Sequence, residues 1–286
     1  MNRFSRRPAM TDSRFIELSA RERAKGLLDA GTYRELLGPF EYIMSPWLEP
    51  QNIVPAADDG MVVAKGTIAG KPSVVIAIEG TFQGGSMGEV SGAKMAAALE
   101  LAAEDNRKGI PTQAVLCLET GGVRLQEANL GLAAIADIHA AIVDLRRYVP
   151  VIGIVAGTVG CFGGMSIAAA LCSYLIVTRE ARLGLNGPQV IEQEADIDEY
   201  DSRNRPFIWS LTGGEARERN GFVDKLVDDS LAAVKAATVE CMEKGKPASL
   251  RNERYDEFLT RLNAFDTRQQ ADAKLTAELF AKGNRS

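Results

Sequence analysis

Two glycine-rich turns lie about forty residues apart, and each follows a short apolar run of β type. The first turn, residues 119–127, reads ETGGVRLQE and follows AVLCL at 114–118. The second, residues 157–164, reads GTVGCFGG, follows VIGIV at 151–155 and leads into MSIAAA. Because glycine has no Cβ, its backbone can approach a ligand closely. The repeated order of strand, glycine turn and helix predicts an α/β fold with a largely buried sheet.

The two turns also indicate a type of chemistry. A helix N-terminus has free N–H groups and the positive end of the helix dipole, which together favour a negatively charged oxygen. Two such turns that converge on one oxygen form an oxyanion hole, which stabilises an enolate without a charged side chain. We expect the amides of Gly122, Val123, Gly163 and Gly164 to form this hole. We also expect Gly164→Val to lower turnover by about a hundredfold or more, with folding and subunit assembly nearly unchanged. The alternative is that these glycines only permit tight packing of strand on helix.

Composition and charge exclude several classes of protein. The chain has 286 residues, 46% of them hydrophobic and 25% charged, and its net charge of −5 gives no reason to expect nucleic acid as a partner. The basic start at residues 3–7 lacks the apolar stretch of a signal peptide. The uncharged segment 149–177 is long enough for a membrane span, but one proline and five glycines interrupt it. We therefore expect a buried strand, turn and helix there and no membrane partner. The cysteine usage of the chain fits a reducing compartment, so we expect a cytoplasmic protein.

Cysteine, histidine and acidic residues give weaker signals. None of the four cysteines has C-x-x-C spacing, so we do not expect a zinc ribbon, and Cys117 and Cys172 lie in apolar runs typical of core thiols. A nucleophilic Cys161 would need a base, and the only histidine in the chain, His139, is expected to be structural. The acidic run at 192–199 is interpreted as a solvated loop or partner contact, and no metal site is expected.

The organisation of the chain is predicted as one domain over residues 1–286. It comprises a flexible lead at 1–13, a core of about 20–230 and a helical C-terminal arm of about 231–286. Ser19 and Glu22 predict a capping box at the start of a helix, followed by a short helical turn at 32–38. Strands at 61–68 and 73–78 are expected to form a hairpin. The remaining predicted elements are helices ending at 106, at 125–145 and at 165–173, strands at 114–118, 151–155, 174–177 and 182–185, and mostly helix after residue 215.

Four motifs resemble those of acyl-CoA carboxyltransferase subunits. They are the segment at 20–33, GGSMG at 84–88, GGVRLQE at 121–127 and GPQVIEQ at 187–193. They occur in the order that the family has and cover roughly residues 20 to 230. The resemblance implies an α/β crotonase-like spiral of ββα units with helical N- and C-terminal arms.

Within this superfamily the chain most resembles the beta subunits of biotin-independent malonate decarboxylases. The short length, the lack of a zinc ribbon and the segment DSRNRPFIWSLTGGEAR at 201–217 carry this resemblance. Carboxyltransferases of acetyl-CoA carboxylase differ in that segment, and they usually have arginine where this chain has Gln189. Two alternatives stay open: a biotin-dependent carboxyltransferase beta subunit, and a crotonase-fold scaffold without chemistry of its own.

The resemblance implies a carboxy-lyase that converts malonyl-S-acyl carrier protein into acetyl-S-acyl carrier protein and CO2. No cofactor would be bound covalently by this chain, because a partner acyl carrier protein carries the thioester on a CoA-like prosthetic group. The other implied partners are a gamma subunit and an acyl carrier protein transferase subunit. Arg124 is expected either to hold an anionic part of the substrate or to pair with Glu127 or Glu119. The expected substrate-binding residues are Gly121, Arg124, Gly85, Ser86 and Gln189.

Overall fold

A seven-stranded mixed sheet organises the protein, whose computed structural model describes residues 13–269 and 272–281. Residues 1–12 of the predicted flexible lead therefore lie outside the described part. The strands follow one another across the sheet in chain order; β1, β2 and β3 are antiparallel, and β3 to β7 are parallel. The strands are β1 (Arg34–Leu36), β2 (Met61–Ile68), β3 (Lys71–Ile78), β4 (Gln113–Cys117), β5 (Val151–Val155), β6 (Tyr174–Thr178) and β7 (Lys225–Val227).

Helices cover both faces of the sheet. Residues of β3 alternate between two cores: Val74 and Ile76 pack with α2, α3 and α4, whereas Val75 and Ala77 pack with α1 and α8. No helix among residues 13–269 and 272–281 is long and apolar enough to cross a membrane. The helices are α1 (Ala20–Leu27), α2 (Glu89–Arg107), α3 (Asn129–Leu145), α4 (Gly164–Leu171), α5 (Pro188–Ala195), α6 (Arg205–Thr212), α7 (Gly214–Arg219), α8 (Leu231–Lys244), α9 (Tyr255–Asn263) and α10 (Ala273–Ala281).

The N-terminal predictions are confirmed in part. Ser19 and Glu22 form the predicted capping box, in which the Glu22 N–H donates to Ser19 Oγ and the Ser19 N–H donates to Glu22 Oε2. The predicted hairpin is present, and its turn consists of Ala69 and Gly70, both with positive φ. The predicted helical turn at 32–38 is wrong, because residues 34–36 form β1 and pair with β2.

Three further predictions needed correction. The helix predicted from Leu125 is interrupted: Leu125–Glu127 is a 3₁₀ turn, Ala128 has a φ of 46°, and α3 begins at Asn129. The strand predicted at 182–185 is reduced to single bridges, in which Leu183 pairs with Cys161. The segment after residue 215, predicted to be mostly helical, also contains the short strand β7. The uncharged segment 149–177, by contrast, contains β5, the second turn and α4, as predicted.

A second, short set of backbone bridges lies where the chain leaves the parallel strands. Met87 pairs with Val123, Thr120 pairs with Cys161, and Cys161 pairs in turn with Leu183. These residues follow β3, β4, β5 and β6, so each repeat contributes a strand of the sheet, a bridging segment and then helical structure. This arrangement agrees with the predicted spiral of ββα units. It also holds the two glycine turns side by side.

Candidate active site

The two glycine turns touch through their backbones at Gly122 and Gly163. A Cβ added to Gly122 would lie 3.1 Å from Gly163 Cα, and a Cβ added to Gly163 would lie 3.1 Å from Gly122 Cα. The φ angles of these residues are +106° and +60°, a region that residues with side chains rarely adopt. Both positions therefore require glycine, and the turns meet as closely as the sequence predicts.

Two of the four predicted donor amides are already occupied. The Gly122 N–H donates to Thr120 Oγ1 at 3.0 Å, and the Gly163 N–H donates to the Leu185 carbonyl at 2.7 Å. Within the described residues, no hydrogen bond takes up the N–H of Val123 or Gly164. Both residues are half-buried, and the Val123 nitrogen lies 3.8 Å from the position of a Cβ on Gly163. The oxyanion-hole hypothesis is thereby narrowed to the amides of Val123 and Gly164.

Gly164 is the first residue of α4, so its N–H points out of the helix at the positive end of the dipole. A Cβ at this position would lie 2.9 Å from Ile135 Cγ2 on α3. A side chain at residue 164 therefore points into the contact between α3 and α4. The expected loss of turnover in Gly164→Val would thus come with disturbed helix packing, contrary to the expectation of nearly unchanged folding.

The GGSMG segment at 84–88 packs against the first turn and forms backbone hydrogen bonds with it. The Gly121 N–H donates to the Gly84 carbonyl, the Met87 N–H donates to the Gly122 carbonyl, and a Cβ on Gly85 would lie 1.9 Å from the Glu119 carbonyl oxygen. Substrate contacts from Gly121, Gly85 and Ser86 stay predictions.

Arg124 lies in a buried ion-pair network. Its Nη1 bonds Asp59 Oδ1 at 2.6 Å and Glu127 Oε1 at 2.8 Å, and its Nη2 donates to the Ser86 carbonyl at 3.1 Å. The residue is 1% exposed, and its guanidinium lies over the Phe82 ring. Of the two interpretations of Arg124, the geometry favours pairing with Glu127 over contact with a substrate.

Glu127 connects this network to the start of α2. Its carboxylate accepts hydrogen bonds from Ser45 Oγ at 2.6 Å and from the Glu89 N–H at 2.7 Å. Burial by itself would raise the pKa of Glu127, but these donors and Arg124 together lower it. For Asp59, burial outweighs the attraction of Arg124 and raises the pKa. The network therefore fixes the first turn against α2 and the chain that precedes β2.

One cavity borders the second turn, and another lies against the helix that follows it. Gln189, on the first turn of α5, is exposed and lies in a cleft of about 470 Å³. Other residues lining this cleft are Thr158, Arg182, Ser202, Arg203, Arg205 and Trp209. A second, mainly apolar cavity of about 380 Å³ lies against α4, with Ser166, Ile167, Leu171, Leu185, Phe222 and Phe258 in its lining.

The surroundings of Cys161 and His139 favour structural roles for both residues. Cys161 is buried, its thiol donates to the Met165 carbonyl, and burial raises its pKa, so it is a poor nucleophile. His139 Nε2 lies 2.8 Å from the Gly164 carbonyl oxygen, which ties α3 to the first residue of α4. In the part of the chain that the structure describes, no group of three or more His, Cys, Asp or Glu residues could hold a metal ion.

Comparison with known proteins identifies the family. The model of the carboxyl transferase domain matches residues 17–248. The malonyl-S-ACP:biotin-protein carboxyltransferase MADC of Malonomonas rubra is 41% identical over 245 residues, which cover 82% of this chain and 77% of that protein. A chain of a Pseudomonas malonate decarboxylase hetero-tetramer, solved in complex with malonate, is 65% identical with a TM-score of 0.92 and covers 94% of this chain and 97% of its own. A chain of the Pseudomonas MdcD–MdcE hetero-dimer is 59% identical with a TM-score of 0.75 and covers 87% of this chain and 96% of its own. The chain therefore belongs to the carboxyl transferase domain family, in which it is a homologue of malonate decarboxylase subunits.

Proposed function

We propose that this chain is the beta subunit of a malonate decarboxylase and decarboxylates a malonyl thioester carried by an acyl carrier protein. One observation carries the proposal: the glycine turns meet at Gly122 and Gly163 and leave the amides of Val123 and Gly164 without an acceptor among the residues that the structure describes. The likeness to the Pseudomonas chain supports the reaction, and the name of the Malonomonas rubra relative supports a carrier-bound malonyl substrate.

The proposed reaction needs an acceptor for one electron pair. The bond between the α-carbon and the carboxylate breaks, CO2 leaves, and the electron pair moves through the α-carbon onto the thioester oxygen. The two free N–H groups stabilise this enolate, and each such donor contributes roughly 10²–10³ in rate. Protonation of the α-carbon then gives the acetyl thioester.

The other predicted site residues fall into two groups, proposed substrate contacts and residues that support the first turn. Gly121, Ser86 and Gln189 remain proposed substrate contacts, and Gln189 would reach the substrate through the cleft that borders the second turn at Thr158. Gly85 and Arg124 were expected to bind substrate as well. Their burial supports a different role, in which they hold the first turn in place.

The proposed partners are a gamma subunit, an acyl carrier protein with a CoA-like prosthetic group, and an acyl carrier protein transferase. The hetero-tetrameric assembly of the Pseudomonas relative supports this proposal. Large apolar side chains beside both turns also support it, since Leu125 is 80% exposed and Leu185 is 60% exposed. We place the assembly in the cytoplasm, in keeping with four free cysteines.

A second candidate function is transfer of the carboxyl group to biotin. The 41% identity to a biotin-protein carboxyltransferase favours it, and the same enolate would form in that reaction. Avidin separates the two: we expect no effect of avidin on CO2 release by the intact complex, whereas inhibition would support the biotin-dependent reaction.

The central experiment compares two substrates with a complex that lacks the transferase subunit. We expect CO2 release from the malonyl thioester of the carrier protein and none above background from free malonate, because a carboxylate cannot accept the enolate electrons as a thioester can. Equal rates from both would rule out the oxyanion-hole mechanism.

A further inference from the structure

We propose that Glu119 is a positioning residue that fixes the second glycine turn against the first, with Arg23 as its counter-ion. This inference rests on the proposed function of the two turns. It assigns a role to a buried carboxylate that lies beside the site and is bonded to Arg23, Thr158 and Val159.

Glu119 connects the two turns through its side chain. It lies two residues after the end of β4, precedes Thr120 in the first turn, and is 5% exposed. Its Oε1 accepts hydrogen bonds from Thr158 Oγ1 at 3.2 Å and from the Val159 N–H at 3.3 Å, both in the second turn. The carboxylate therefore acts as a bridge from the first turn to the start of the second.

Two glycines make room for this carboxylate. A Cβ on Gly157 would lie 1.9 Å from Glu119 Cδ, and a Cβ on Gly80 would lie 2.6 Å from the same atom. Neither glycine has a positive φ, so backbone conformation does not account for them. The space for the Glu119 side chain does account for both, which indicates that the structure is built around a carboxylate at this position.

Arg23, which lies on the N-terminal helix α1, neutralises the buried carboxylate of Glu119. The residue is 3% exposed, and its Nη1 pairs with Glu119 Oε2. Its Nε and Nη2 donate to the carbonyls of Phe15 and Ile16 at 3.1 and 3.2 Å. A buried carboxylate without such a partner would be strongly destabilising. The pair thus couples the segment before α1 to the glycine turns.

The backbone adds to the same connection. The Thr120 N–H donates to the Gly160 carbonyl at 2.8 Å, and the Phe162 N–H donates to the Thr120 carbonyl at 3.0 Å. The side chain of Glu119 holds residues 158–159, and the backbone of Thr120 holds residues 160–162. The amide of Gly164 follows directly, so a shift of the turn would move it relative to the Val123 amide. A misplacement of about 1 Å at a catalytic site can cost on the order of 100-fold in rate.

The test uses a matched pair of double variants in the full complex: Arg23→Met with Glu119→Gln, and Arg23→Met with Glu119→Met. Both remove the buried ion pair together, so neither leaves an unpaired charge. Glutamine keeps an acceptor for the Val159 N–H, and methionine of similar volume removes it. Thr158→Val is a third variant, at an exposed position, that removes one donor.

We expect the Gln double variant to keep kcat for the malonyl thioester within about threefold of wild type. The Met double variant should lower kcat about tenfold or more with KM within about twofold, because the groups that bind substrate are retained. Thr158→Val should lower kcat by a smaller factor. Amide hydrogen exchange at residues 157–163 should rise in the Met double variant and stay at the wild-type level in the Gln double variant.

Equal kcat and equal exchange in the two folded double variants would overturn the positioning role. Failure of the Met variant to fold would leave Thr158→Val to decide, and wild-type kcat in that variant would count against the inference. If the wild-type complex released no CO2 from the thioester, the proposed function would fail. The exchange measurement would still test the hold of Glu119 on the turn.

Discussion

At the scale of single residues, Gly164 offers the sharpest test of the chemistry. It is the first residue of α4, where proline is well tolerated, and the ψ of −148° at Gly163 is not the helical conformation that a following proline disfavours. Gly164→Pro removes the N–H, and Gly164→Ala keeps it. Both add the Cβ that meets Ile135, so this contact is common to the two variants, and proline also adds its ring carbons at the nitrogen.

We expect Gly164→Pro to have a kcat about 100-fold below that of Gly164→Ala, since one oxyanion donor is lost. The measurements are steady-state CO2 release from the malonyl thioester and thermal unfolding of each assembled complex. Similar turnover in two variants that both assemble would show that the Gly164 amide is not a donor. It would also favour the alternative that the glycines of the two turns only permit tight packing of strand on helix.

The sequence could predict that the two glycine turns meet and could not predict which of their amides are free. Glycine pairs after apolar runs predict turns that approach each other, and Gly122 and Gly163 do so. The availability of an amide depends on partners elsewhere. Leu185, far along the chain, takes the Gly163 N–H. Thr120 was a missed local signal, because a hydroxyl two residues before Gly122 is well placed to accept its N–H.

At the scale of elements, the secondary structure predicted from sequence was wrong where pairing with residues far along the chain decides the local structure. Periodicity and capping residues were sufficient for α1, the β2–β3 hairpin and the β5–α4 unit. The strands β1 and β7 have three residues each and exist because they pair with β2 and β6 at the sheet edges. So few residues show no periodicity of their own. The break at Ala128 likewise follows from Glu127, whose carboxylate is held at the start of α2.

The Arg124 network predicts a large stability effect from one substitution. Arg124→Met would leave Asp59 and Glu127 buried without their cation, so we expect the free energy of unfolding to fall by about 3–5 kcal/mol. Urea denaturation of the purified chain measures it. The control is Arg107→Met, which removes an ion pair with Asp144 on the surface and should leave the free energy of unfolding nearly unchanged. Similar losses in the two variants would contradict an essential role of the network.

At the scale of the whole molecule, the repeat architecture could be predicted and the surfaces could not. The strand–turn–helix alternation and the four family motifs indicated the spiral of ββα units. The sequence did not reveal that α8, in the predicted C-terminal arm, packs Val234 and Cys241 into the core beside α1. Nor did it reveal the exposed apolar side chains in the segment between β1 and β2, where Phe40 is 89% exposed and Tyr42 is 68% exposed. Burial is a property of the assembled fold, so hydrophobicity alone does not identify such positions.

The exposed apolar side chains beside the two glycine turns predict that the chain needs its partner for full activity. Leu125 lies in the first turn, Ile167 lies on α4, and Leu185 accepts the Gly163 N–H, so the apolar surface adjoins both turns. A partner subunit that covers this surface would exclude water from the enolate and strengthen the hydrogen bonds to it. We expect the purified chain alone to decarboxylate the malonyl thioester at least about tenfold more slowly than the chain mixed with its gamma subunit. Size-exclusion chromatography with CO2 release measured across the peaks would check this. Full turnover in the monomer peak would show that the site is complete without a partner.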